Sequence, residues 1–179
     1  MTEASPPYEF SSVLVNLSWN EELNRRVYGT FVRQINPEDL APGGIERDLH
    51  ITVVFGLHTN DADAVKEIIQ GFKEHFIDIK LGTIDYFNPG PASNGNYPLK
   101  INVQSFALEA IRKELLENFE ATITFPKYEP HITIAYLKQN PNKYIRKEGI
   151  GRMEPFSVSE VVFADKMGAQ TRIPLLKEI

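Results

Sequence analysis

Two stretches of the sequence carry the same residue types at the same spacing: His50-Ile51-Thr52-Val53-Val54-Phe55 and His131-Ile132-Thr133-Ile134-Ala135-Tyr136. Each reads His-apolar-Thr-apolar. Side chains alternate faces along a strand, so residues i and i+2 share a face. Each histidine is therefore expected beside its threonine, with Ile51, Val53, Phe55, Ile132, Ile134 and Tyr136 on the opposite face, building the core. Histidine titrates near neutral pH, so one copy can start neutral and the other protonated. Threonine hydroxyls can donate to the non-bridging oxygens of a phosphate. Phosphodiester cleavage needs this equipment: a base for the attacking oxygen, an acid for the leaving oxygen, and donors for the charge between. Two His and two Thr with no acidic residue at close spacing make a poor metal set, so no metal or other cofactor is expected. His58 and His75 lack the pattern and read as ordinary surface or loop residues.

The elements that must hold these residues follow from periodicity. Val13–Leu17, Leu49–Leu57, Phe76–Phe87, Leu99–Val103, Ala121–Phe125, His131–Leu137, Phe156–Ala164 and Arg172–Leu176 read as strands. Glu21–Ile35 reads as a helix, because Leu23, Val27, Phe31 and Ile35 recur every four residues; Gly29 weakens it. Asp61 and Ser105 are good N-caps for helices reaching His75 and about Asn118. Asn36–Gly44 and Asn88–Asn96 are rich in Pro, Gly and Asn and read as loops, the second exposed and mobile. Gln139–Met153 is a polar connection. The order strand–helix–strand occurs twice, each time ending on a His-x-Thr strand. That implies one α+β domain over 1–179, with two similar lobes at roughly 11–96 and 97–179 and a loose arm at 1–10.

Composition narrows the function classes. The 179 residues include 42% hydrophobic and 24% charged, the balance of a globular chain. There is no cysteine, which removes disulfides, thiolate nucleophiles and cysteine zinc sites, and is compatible with a reducing cytoplasm. No apolar run approaches the roughly 18–20 residues that span a bilayer, and Met1–Phe10 lacks the plan of a secretory signal. The net charge of −5 and pI near 5.4 lack the basic surplus of proteins that bind long nucleic acid. A small anionic ligand in a local basic pocket remains compatible with it.

The paired His-x-Thr strands in a small two-lobed chain resemble the two-histidine (2H) phosphoesterase superfamily, which includes RNA 2′,3′-cyclic phosphodiesterases and ligase-like relatives. The longer words Leu49 to His58 and Tyr128 to Tyr136, with Asp39-Leu40 and Gly44-Ile45-Glu46 before them, resemble the phage anti-CBASS phosphodiesterases. The resemblance implies a bilobal, LigT-like fold with antiparallel strands, outer helices and a central cleft. It implies metal-independent hydrolysis of cyclic di- and trinucleotide signals in the host bacterial cytoplasm. His50 and His131 match the catalytic histidines, and Thr52 and Thr133 the phosphate-binding threonines. Asp48-Leu49 stands before the first histidine, where many relatives have proline as in Pro130-His131.

For such a substrate, base recognition is expected from aromatic stacking, with Tyr8, Tyr86 and Phe87 as candidates; Tyr136 is set aside as a core residue. Arg47 and Lys138 flank the motifs and could attract phosphate. The expected partner is thus a cyclic oligonucleotide, with neither long nucleic acid nor membrane, and the oligomeric state stays open. Two other readings stand beside this one: a 2′,3′-cyclic phosphodiesterase acting at RNA ends, and a non-catalytic module that sequesters a nucleotide.

Overall fold

The computed structural model describes residues 6–177. Its strands are β1 (Ser11–Asn16), β2 (Leu40–Ile45), β3 (His50–Leu57), β4 (Ile77–Tyr86), β5 (Tyr97–Gln104), β6 (His131–Leu137), β7 (Phe156–Val158), β8 (Glu160–Ala164) and β9 (Gln170–Pro174). The helices are α1 (Glu21–Arg26), α2 (Ala62–Gln70) and α3 (Phe106–Asn118). Each helix begins where the sequence places a cap: Asn20 accepts from the Leu23 amide, Asp61 from those of Asp63 and Ala64, and Ser105 from that of Leu108.

α1 passes at Val27 into a π-helical turn, Val27–Phe31, and then a 3₁₀ turn, Val32–Gln34. The four-residue spacing explains this. At 3.6 residues per turn, a stripe repeating every four drifts by about 40° per step. Local unwinding keeps Leu23, Val27, Phe31 and Ile35 all buried.

All strand pairs are antiparallel. The path β9-β8-β1-β3 meets β6-β5-β4-β7 at a single registered pair, Ile51 with Ile132. Two four-stranded sheets thus join along a seam at the two His-x-Thr words. The sheets do not follow the halves 11–96 and 97–179. β4 belongs with β5 and β6, while β8 and β9 return to pair beside β1. α3 packs against β3 and β4, and α2 packs against α3 and β9. Val65 and Ile69 of α2, and Leu108, Ile111 and Leu115 of α3, are sealed into the core. Full burial of each such side chain contributes about 1.5–3 kcal/mol.

Two expected elements come out differently. Leu40–Ile45 is strand β2 despite Pro42 and Gly43-Gly44, because it pairs with the end of β6, Leu40 with Leu137 and Ile45 with Ala135. The expected strand Ala121–Phe125 is reduced to one bridge, Ala121 with Leu57 at the end of β3. These contacts are counterparts. The segment leading into each His-x-Thr word crosses the seam and pairs with the far end of the other.

Each motif strand also carries a bulge at the same place. Val13 pairs with Val54 but Leu14 with Thr52, leaving Val53 extra in β3. Leu99 pairs with Ala135 but Lys100 with Thr133, leaving Ile134 extra in β6. Val53, Val54, Ile134 and Ala135 are all fully buried. The bulges leave carbonyls out of the ladder, and both find donors: Arg112 Nη1 reaches Val53 O at 3.0 Å, and the Glu46 amide reaches Ile134 O at 2.8 Å.

The bulges overturn one expectation. Two consecutive residues face the core, so the next residue turns outward. Phe55 is 58% exposed, and Tyr136 is half-buried opposite Pro98. Both lie on the His-x-Thr face, not in the core where strict alternation puts them.

Candidate active site

β3 and β6 run antiparallel through the Ile51–Ile132 pair. Continuing that register sets His50 across from Thr133 and Thr52 across from His131. The two histidines are then diagonal neighbours on one face, close enough for the charge of His50 to act on His131. All four residues are half-buried and open to one side.

The two imidazoles are held in the same way. His50 Nδ1 lies 2.8 Å from the Asp48 carbonyl and His131 Nδ1 lies 2.7 Å from the Glu129 carbonyl, two residues upstream in each case. A carbonyl only accepts, so Nδ1 carries the hydrogen and Nε2 is left for the site. Asp48-Leu49 in place of a proline therefore changes nothing in this bond, since the carbonyl comes from residue −2. Tyr128 donates its hydroxyl to Thr52 O at 2.8 Å and anchors the strand behind the first threonine.

The surroundings of His131 bias its charge state. Burial pushes the His131 pKa below its ordinary value; the cations Lys100 and His50 push it the same way, against the opposing pull of the Glu129 carbonyl and carboxylate. His131 is thus biased towards the neutral imidazole, the form that accepts a proton.

Lys100 and Asn102 are site residues that sequence reading missed. They pair across the strands with Thr133 and His131, so they share the motif face. Lys100 is almost fully buried. Its Nζ lies 2.7 Å from Asp85 Oδ1, donates to Asn102 Oδ1, and stands 4.3 Å from the centroid of the Phe87 ring. Asn102 donates in turn to Thr83 Oγ1 and Asp85 Oδ2. A lysine inside a strand reads as an outward charge; only the β5–β6 register turns it into a neighbour of the site. Asn16, paired with His50 from the other side, was missed for the same reason.

The expected binding residues divide. Phe87 is at the site, its ring centroid 4.8 Å from that of His131, edge to face. Tyr86, one residue earlier on β4, points the other way; it pairs with buried Leu99, packs on Tyr97 and donates to Asn142 Oδ1. Tyr8 is remote: its amide donates to Lys166 O beside the β8–β9 turn, at the opposite end of β1 from Asn16. Lys138 is exposed just past the far end of β6, its amide bonded to Asp39 O. Arg47 is exposed three residues before His50, where its charge acts on Tyr28. His58 and His75 are both exposed as expected, and His58 is in addition stacked on Phe10 and 2.7 Å from Thr122 Oγ1. Residues 1–5 of the arm lie outside the described residues. Among the described residues no three His, Asp or Glu side chains gather closely enough to hold a metal ion. Among them no helix is long and apolar enough to cross a membrane.

A family model described as the 2′-5′ RNA ligase superfamily matches residues 23–165. No curated protein sequence matches the chain. Among solved structures, Usb1 of Kluyveromyces marxianus is similar with a TM-score of 0.64 at 8% identity, covering 94% of this chain and 99% of that one. The same protein with uridine monophosphate scores 0.60 at 8% identity, covering 93% and 98%. A phosphoesterase scores 0.55 at 15% identity, covering 94% and 96%. At such identities the likeness is one of fold, the bilobal arrangement of curled antiparallel sheets with outer helices.

Proposed function

The chain belongs to the 2′-5′ RNA ligase superfamily, that of the two-histidine phosphoesterases, and from that premise we propose that it hydrolyses the 3′–5′ linkages of cyclic di- and trinucleotide second messengers. The observation that carries the chemistry is the matched pair of imidazoles on one face, each with Nδ1 fixed on a backbone carbonyl and Nε2 free. With the scissile phosphate between them, Thr52 and Thr133 donate to its non-bridging oxygens. His131 Nε2 takes the proton of the attacking hydroxyl, either the ribose 2′-OH or water. The new P–O bond forms as the P–O5′ bond breaks, and His50 Nε2–H protonates the departing oxygen.

The cyclic substrate is supported by the resemblance of Leu49 to His58 and Tyr128 to Tyr136 to phage anti-CBASS enzymes. In that role a phage or prophage supplies the protein, which acts in the infected bacterial cytoplasm. The acidic balance of the chain suits a small ligand better than long nucleic acid.

A second reading is a 2′,3′-cyclic phosphodiesterase at RNA ends. It is favoured by the single nucleotide, uridine monophosphate, held by the Usb1 of the same fold. Incubation with a panel of cyclic di- and trinucleotides and with RNA bearing 2′,3′-cyclic ends, in the presence of EDTA, separates the two by mass spectrometry of the products. Linearised cyclic dinucleotides support the first reading. Opening of RNA ends alone replaces it with the second, and recovery of every ligand intact leaves a sequestering protein.

A further inference from the structure

We propose that Phe55 and Tyr136 are the floors of two nucleobase subsites, one in each lobe, flanking the phosphate position. The inference rests on the phosphodiesterase reading and specifies its substrate as one with a base on each side of the scissile phosphate.

The bulges decide the matter. Without them Phe55 and Tyr136 would point into the core. With Val53–Val54 and Ile134–Ala135 both facing inward, each aromatic ring becomes the next side chain after Thr52 or Thr133 on the motif face. The spacing from threonine to ring is that of i to i+2 with one inserted residue, about 7 Å along the strand. A phosphate held by the threonines has its two ester oxygens directed to opposite sides, and one aromatic platform lies on each. The antiparallel seam makes the two platforms diverge from the Ile51–Ile132 pair in opposite directions.

The local surroundings suit stacking. Phe55 is the more exposed of the pair, and Phe10 meets it edge-on at 6.0 Å, bracing the ring while leaving a face open. Phe10 is itself stacked on His58 at 5.6 Å, and His58 is fixed by Thr122. An exposed phenylalanine with this bracing has no core to serve. Tyr136 stands on the opposite lobe, with Pro98 across from it and Glu46 close enough to act on its hydroxyl. A nucleobase offers a flat face to both rings whatever its identity.

The test is binding, so it is independent of turnover. Two dinucleoside phosphorothioates, carrying 2-aminopurine on either the 5′ or the 3′ side, are titrated into the wild-type protein, Phe55→Ala and Tyr136→Ala, with Phe55→Leu and Tyr136→Leu as variants that keep apolar volume without a ring. Stacking quenches 2-aminopurine. The expected result is quenching of both probes by wild type, and relief of one probe in each single variant, with Kd weakened about 5- to 100-fold. Unchanged Kd and quenching in the ring-less variants, relief of the same probe by both, or no binding by wild type at millimolar ligand each overturns the proposal. Turnover of cyclic dinucleotides measured in parallel keeps the premise separate. Quenching without hydrolysis sinks the enzymatic reading alone, whereas hydrolysis indifferent to both rings sinks the subsites alone.

Discussion

Lys100 stands over the ring of Phe87, with Nζ 4.3 Å from its centroid, and that centroid lies 4.8 Å from the centroid of the His131 ring, the two rings nearly perpendicular. The cation is shielded from water and held by Asp85 and Asn102. It therefore acts on the site at short range and without the screening that weakens surface charges. Phe87 gains a cation–π contact that fixes the surface His131 rests on.

The charge should be readable in the pH profile. The groups that act on His131 are Lys100, His50 and Glu129. In the proposed mechanism His131 acts as a base when neutral, so activity is expected to fall as pH drops through its pKa. Lys100 lowers that pKa; Lys100→Met removes the effect, and the acidic limb of kcat/KM is expected to move to higher pH. Lys100→Arg should restore its position. Because Lys100→Met strands Asp85, the pair Lys100→Met with Asp85→Asn is the companion to measure. An acidic limb that stays in place in both would disprove an electrostatic role.

His50→Ala and His131→Ala should each lower kcat by about 10²–10⁴-fold, the usual worth of positioned proton transfer. Thr52→Val and Thr133→Val should each cost about 10²-fold, as for loss of a donor to a developing charge. Urea midpoints should stay near wild type, because these side chains lie on the open face. Retained turnover in either histidine variant rules out the two-sided mechanism.

Gly56 occupies φ +99° in β3, and a Cβ there would collide with the Thr122 carbonyl where the crossing segment bonds the strand. Gly56→Ala should destabilise by at least about 2 kcal/mol, lowering Tm by about 4–8 °C. Gly95 also has positive φ, but open space surrounds it. Gly95→Ala should cost about 1 kcal/mol, and calorimetry of the two variants separates collision from conformation alone.

Arg112 Nη1 donates to the bulge carbonyl of Val53 and packs over the Tyr128 ring. Arg112→Met keeps the apolar stem and leaves the carbonyl unpaired, at a cost of about 1–3 kcal/mol. Turnover should fall by a smaller factor than in the histidine variants, since Thr52 precedes the bulge. A melting curve superimposable on wild type would show that water replaces the guanidinium.

Much of this arrangement is legible in the amino-acid sequence. The His-x-Thr words, the caps at Asp61 and Ser105 and the inward faces of α2 and α3 follow from local rules that packing leaves intact. The four-residue stripe from Leu23 to Ile35 even contains its own unwinding, although Gly29 draws the eye instead. What escapes is what depends on register. Val53 and Ile134 are ordinary β-branched residues, and nothing in them announces a bulge. Their insertion reverses the parity of the residues that follow directly, so Phe55 and Tyr136 change sides. Parity also divides Tyr86 from Phe87, one facing away from the site and one into it. Lys100 and Asn102 become visible only when β5 is laid against β6, and the distance of Tyr8 and Lys138 from the two histidines only when strand direction is known.

The interleaving of the sheets bears on how the protein is made. Leu14 in β1 pairs with Val162 in β8, and β1 lies between β3 and β8. A nascent chain that has emerged only as far as residue 96 carries β1 and β3 with one flank of β1 unoccupied, and β4 with neither β5 nor β7. One sheet lacks its last strand until β7 is made and the other until β9, so such a chain carries exposed strand edges through most of its synthesis.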